Sequence, residues 1–108
     1  MEKIVIAAAS VYKQKYYINP NFNGLPPDVK NELKALCVNS ADYLHCVFMV
    51  GFYDDGSVFF ECEAEENDFD YDEIGAPLEV KRLTAEHKEF MGQLSLYWRM
   101  LILESMQG

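Results

Sequence analysis

The sequence predicts an α+β fold in which helices pack on one face of a small antiparallel sheet. Three observations carry this prediction. An alternating apolar stretch at about residues 45–64 folds back about Asp54-Asp55-Gly56, a helical apolar spacing follows Pro27, and a long helical pattern occupies the C-terminal part. With 108 residues, half of them hydrophobic, the chain suits one domain spanning 1–108 with one core.

In residues 3–17, Ile4, Ala8, Val11 and Tyr12 fall at spacings of three and four, which favours a helix. The opening KIVIAAA also fits a buried strand, because periodicity alone does not assign short apolar runs. NPNFNGLPP then reads as a loop. Pro27 and Asp28 suit a helix start, and Val29, Leu33, Leu36, Cys37 and Ser40 continue one helical face to about Ala41.

HCVFMVGFYDDGSVFFECEAE is a β-hairpin whose register follows from its side chains. A two-residue Asp55-Gly56 turn would pair Phe52 with Phe59 and set acids on the apolar face. A three-residue loop with left-handed Gly56 pairs Phe52 with Val58, Val50 with Phe60 and Phe48 with Cys62, which makes one wholly apolar face. This is the register expected. Two strands do not make a stable sheet, so a further strand is expected from residues 3–9 or from a partner chain. The C-terminal pattern reads as a long helix to about Glu104, its start interrupted by Gly75 and Pro77 and best supported from Thr84. Leu83, His87, Phe90, Leu94, Tyr97 and Leu101 form one seam, and Met91, Trp98 and Ile102 a second, with Leu96, Met100 and Leu103 in addition. That exceeds what one surface helix needs. Phe90, Leu94, Tyr97, Trp98 and Leu101 are therefore the interface candidates, with a second copy or another protein as the partner.

The net charge of −9 has a definite location: Glu61, Glu63, Glu65, Glu66, Asp68, Asp70, Asp72, Glu73 and Glu79 lie in a window without Lys or Arg. A near-neutral domain with one acidic belt is unsuited to nucleic acid or an anionic membrane, which need a basic surface. Cys37, Cys46 and Cys62 form no C-x-x-C pair and fit free thiols in the cytoplasm. The N-terminus shows no secretory pattern, and no apolar run is long enough to span a membrane.

VYKQKYYINPNF, LPPDVKNELK, the Asp-Asp-Gly hairpin and YDEIG together resemble a small family of uncharacterised bacterial proteins from anaerobic Gram-positive bacteria. The resemblance runs through nearly the whole chain. It implies a bacterial cytosolic protein of unknown role, and it transfers no activity, cofactor or site.

Asp68, Asp70, Asp72 and Glu79 stand at positions one, three, five and twelve of a calcium loop of the EF-hand type. Position six, which needs Gly, is Glu73, and a strand rather than a helix precedes the loop, so a solvated acidic connection is expected and no metal is assigned. His45 and Cys46 alternate to opposite faces of a strand, which separates them as a catalytic or metal-binding pair. Tyr12, Tyr16 and Tyr17 beside Lys13 and Lys15 read as packing tyrosines. No catalytic residue or cofactor follows from any motif. The leading expectation is a non-enzymatic self-association or protein-interaction module. The alternatives are a small-ligand or cation-binding protein using residues 61–79, and an enzyme with a carboxylate pair drawn from 61–73.

Overall fold

The apolar run that opens the chain is an inner strand of a sheet. In the computed structural model, which describes residues 2–107, β1 (Lys3–Ser10) and β2 (Lys15–Ile18) form a hairpin, followed by a short 3-10 turn at Pro20–Phe22. Helix α1 (Pro27–Leu44), β3 (Val47–Tyr53), β4 (Val58–Glu63), α2 (Gly75–Glu86) and α3 (Lys88–Gln107) complete the chain. The strands make a four-stranded antiparallel sheet in the order β2-β1-β3-β4.

The helix favoured for residues 3–17 is thus corrected to two strands and a turn. The physical reason is a bulge. Val5 pairs with Gly51 and Ala7 with Val50, so Ile6 has no partner on β3, and its carbonyl instead accepts the Asn19 N–H at 2.7 Å. The extra residue moves the buried face from one parity to the other, and Ile6, Ala7 and Ala9 are all buried. A strand interrupted in this way loses its period of two, which is the signal that separates strand from helix.

Helix α1 starts as its sequence suggests, with Pro26 before Pro27 and Asp28 in the first turn. It buries Val29, Leu33, Leu36, Cys37, Ser40, Ala41 and Leu44, so the expected face is extended by one turn. It ends at His45, whose φ of 57° is the left-handed cap conformation usually given to Gly or Asn. The His45 N–H donates to the Ala41 carbonyl, and the Cys46 N–H donates to the same oxygen at 3.1 Å.

The β3–β4 hairpin has the expected register: Phe52 pairs with Val58, Val50 with Phe60 and Phe48 with Cys62. The Gly56 N–H donates to the Tyr53 carbonyl at 3.0 Å, the Tyr53 N–H donates to the Ser57 carbonyl at 2.9 Å, and Gly56 has φ 86°. Phe48, Val50, Phe52 and Phe60 are buried against Leu33, Leu36 and Cys37 of α1 and Phe90 and Leu94 of α3 in one cluster. On the other face of the sheet Phe59 lies across Gly51, beside Tyr53 at 5.0 Å between ring centroids, with the Lys3 ammonium 5.3 Å from its ring. A glycine at 51 is what lets that ring lie flat on the strand.

The expected long C-terminal helix is α3, and the stretch before it forms a helix of its own, α2. Gly75 and Pro77 do not delay its start; they form the first turn of α2, where a proline costs no hydrogen bond. The two helices are divided at His87 (φ −105°, ψ 26°), although the His87 N–H still reaches Leu83 and the Met91 N–H still reaches the His87 carbonyl. The imidazole Nδ1 lies 2.9 Å from that same Leu83 carbonyl, and the ring meets Phe60 edge-on at 6.0 Å. The molecule measures 50 × 25 × 24 Å along its principal axes. Among the described residues, no helix is long and apolar enough to cross a membrane.

Candidate functional site

Three chain junctions meet at one end of the sheet, and each brings one polar side chain. Tyr12 comes from the β1–β2 turn, His45 from the α1–β3 junction and Asp68 from the connection between β4 and α2. The Tyr12 hydroxyl donates to Asp68 Oδ2 at 2.6 Å and accepts the Glu65 N–H at 3.0 Å. The His45 carbonyl lies 3.3 Å from the same hydroxyl, too long to compete for its single proton. His45 Nδ1 contacts the same Asp68 oxygen at 2.8 Å, and Asp68 Oδ1 accepts the Asp70 N–H at 2.9 Å. The Tyr12 and His45 rings pack edge to face at 5.6 Å.

Both the left-handed cap at His45 and the positive φ of 65° at Asn67 aim chain segments into this cluster. Asp68 is nearly enclosed, its side chain 9% exposed, whereas His45 is 36% exposed. The hydrogen bond from Tyr12, and after it that from His45, holds the Asp68 carboxyl below its usual range. The same carboxylate raises His45. Burial first, and then Asp68, raises Tyr12. On the open side Asp70 Oδ2 stands 3.9 Å from His45 Nε2.

Of the four carboxylates at calcium-loop spacing, the fold brings only Asp68 and Asp70 together. Asp72 is turned away to cap α2, its Oδ1 accepting the Ile74 N–H at 3.1 Å and the Gly75 N–H at 2.9 Å. Glu79 lies along α2 and binds Arg82, which also holds Glu86 at 2.7 Å. His45 and Cys46 do not alternate along a strand as expected, because β3 begins only at Val47; the left-handed cap at His45 is what separates its half-exposed ring from the fully buried Cys46. Cys62 is half-buried, its Sγ 3.2 Å from the Tyr71 hydroxyl. Sequence reasoning named Asp68 and Asp70 but not Tyr12 and His45 as their partners. The position of His45 at the end of the α1 pattern was the one local sign that it would stand at a junction.

Of the interface candidates, Phe90 and Leu94 are buried in the chain's own core, Tyr97 and Trp98 are partly buried against it, and Leu101 is 38% exposed. Leu96 and Met100 are more exposed, at 58% and 57%. Ile102 and Leu103 lie outside the residues whose side chains are described. A groove of about 570 Å³ runs between the start of α1 and α3, lined by Pro26, Val29, Leu96, Tyr97 and Met100, with Asp28 and Glu32 on its α1 side.

Fold and cluster together define a small α+β protein with a Tyr–Asp–His network at one end of a four-stranded antiparallel sheet. The model of a family described as "Family of unknown function (DUF6145)" matches residues 3–106, and the chain belongs to that family. No curated protein and no solved structure matches it.

Proposed function

We propose that the protein is a cytoplasmic self-association module whose contact surface is the outer face of α3 and the groove beside it. The observation that carries this reading is the exposure of Leu96, Met100 and Leu101 on a helix that borders a largely apolar groove. An exposed apolar patch with a polar rim is characteristic of protein contact surfaces.

A second copy suits this surface by charge as well as by shape. Arg99 is exposed on α3, whereas Asp28 and Glu32 border the groove, so a two-fold pairing of α3 helices sets the cation of each copy toward the acids of the other. Leu96 and Met100 of one copy then occupy the groove of its partner, and the contact is self-complementary.

Size-exclusion chromatography with light scattering tests this. The expected mass is twice 12.4 kDa at high micromolar concentration. Met100→Glu with Leu96→Glu should return the mass to that of one folded chain, with circular dichroism unchanged, since both side chains are exposed in the single chain. A wild-type protein that stays monomeric under those conditions overturns the reading.

A further inference from the structure

The cluster at the end of the sheet has a chemistry that self-association through α3 leaves unused. Asp68 accepts at His45 Nδ1, so in the neutral ring the proton sits on Nδ1 and the lone pair on Nε2. Asp68 cannot swing away, because Tyr12 and the Asp70 N–H hold both of its oxygens and its side chain is almost enclosed. A carboxylate that fixes one imidazole nitrogen and leaves the other outward is the arrangement that orients histidine ligands around metal ions.

The outward nitrogen has a second ligand at hand. Asp70 Oδ2 is 3.9 Å from Nε2, on a side chain that is 81% exposed and free to move. One donor atom from each of His45, Asp68 and Asp70 lies within 4.8 Å of the others. Two ligands held about 2.0–2.2 Å from one ion stand roughly 3–3.5 Å apart. A shift of about 0.5 Å by Asp70 therefore closes the gap, given those bond lengths.

We propose that His45 Nε2 and Asp70 form an open binding site for a divalent cation of the zinc class, with Asp68 and Tyr12 as its orienting groups and water completing the coordination. The imidazole nitrogen selects zinc, nickel or cobalt over calcium and magnesium, which prefer all-oxygen shells. The surrounding acidic belt raises the local concentration of any divalent cation, and the nitrogen then discriminates among them. This site differs from the calcium-type loop in both ligands and ion, since Asp72 and Glu79 are engaged elsewhere.

Isothermal titration with zinc chloride, and in parallel with calcium chloride, tests the site on the full chain after treatment with EDTA. The expected result is one zinc per chain at micromolar affinity, and no calcium binding at the same concentrations. His45→Gln and Asp70→Asn should each weaken zinc at least tenfold, and Asp68→Asn, acting through the ring, by about 10–100-fold. His87→Gln and Cys62→Ser should leave it unchanged. Asp70 is exposed, so Asp70→Asn remains informative even if His45→Gln fails to fold. In the imidazole ¹⁵N spectrum, zinc should move the His45 Nε2 resonance while Nδ1 stays protonated. Absence of zinc binding would overturn the proposal. Equal binding of calcium, or zinc binding unaffected by His45→Gln and Asp70→Asn, would overturn it in favour of the diffuse charge of the belt.

Discussion

The Trp98 indole lies against Gly56: a β-carbon built on Gly56 would stand 2.5 Å from Trp98 Cε3. Beside it the Ser95 hydroxyl donates to the Gly56 carbonyl at 2.9 Å. The tip of the β3–β4 hairpin is therefore clasped by α3, and Gly56 is needed both for its backbone angle and for the space it leaves.

Gly56→Val should destabilise the protein by roughly 2 kcal/mol or more, because left-handed strain and overpacking each cost about 1–3 kcal/mol. At about 4–8 °C per kcal/mol for a chain of this size, the melting temperature should fall by about 10 °C. Gly56→Ala in a Trp98→Leu background separates the two causes. If the collision with the indole matters, alanine will cost less there than in the wild type, and an equal cost would leave backbone strain as the whole effect.

Asp72→Ala should cost about 1 kcal/mol, the loss usual when a side chain that accepts the first N–H groups of a helix is removed. Asp72→Asn, which keeps an acceptor for the Ile74 and Gly75 N–H groups, should lose less. Urea denaturation of the three proteins decides it, and an alanine variant as stable as the wild type would mean that solvent caps α2 equally well.

Thiol reactivity should divide one against two. Burial pushes both Cys37 and Cys46 up to about 12, so at pH 8 neither offers appreciable thiolate. Cys62 is only half-buried. A disulfide reagent should label Cys62 in the native protein and reach the other two only as fast as the chain unfolds. Three thiols reacting together without denaturant would contradict the burial of Cys37 and Cys46.

The hairpin tip should also contribute a pH-dependent term. The Ser57 hydroxyl at 2.6 Å and its N–H at 2.9 Å hold the Asp55 carboxyl below its usual range. A depressed carboxyl adds stability that is present above its unfolded value, near 3.9, and is lost as pH falls through the lower folded value. The stability difference between wild type and Asp55→Asn should therefore shrink from pH 5 to pH 3. A difference constant across that range would remove Ser57 as the cause.

Where a feature depends on neighbouring residues, the sequence is legible. The β3–β4 register follows because Asp54-Asp55-Gly56 admits one loop that keeps Phe48, Val50 and Phe52 on a common apolar face. The start and buried face of α1 follow from Pro27, Asp28 and the spacing of Val29, Leu33 and Leu36. Strand β1 is hidden because the bulge at Ile6 erases alternation in a segment only eight residues long. The break at His87 is hidden because the backbone hydrogen bonds continue across it, so the apolar seam is nearly unbroken. The Tyr12–His45–Asp68 cluster is hidden for a different reason. Its members come from three junctions, and no local pattern encodes which loops meet once the sheet has closed.

The order β2-β1-β3-β4 places the first strand made between one neighbour that is immediate and another that is remote, since Ser10 pairs with Val47 and Lys3 with Tyr53. During synthesis the β1–β2 hairpin must wait for α1 and β3, which at about 5–20 residues per second is an interval of roughly 2–8 s. Throughout that interval an Ala- and Ile-rich strand has an open edge, the condition in which nascent chains pair with one another. Lys3 before the apolar run and Lys13 and Lys15 after it supply charge at both ends of the waiting strand, as gatekeepers do beside unavoidable hydrophobic segments. Replacing these lysines by neutral residues should therefore lower soluble yield more than it lowers the stability of the finished protein.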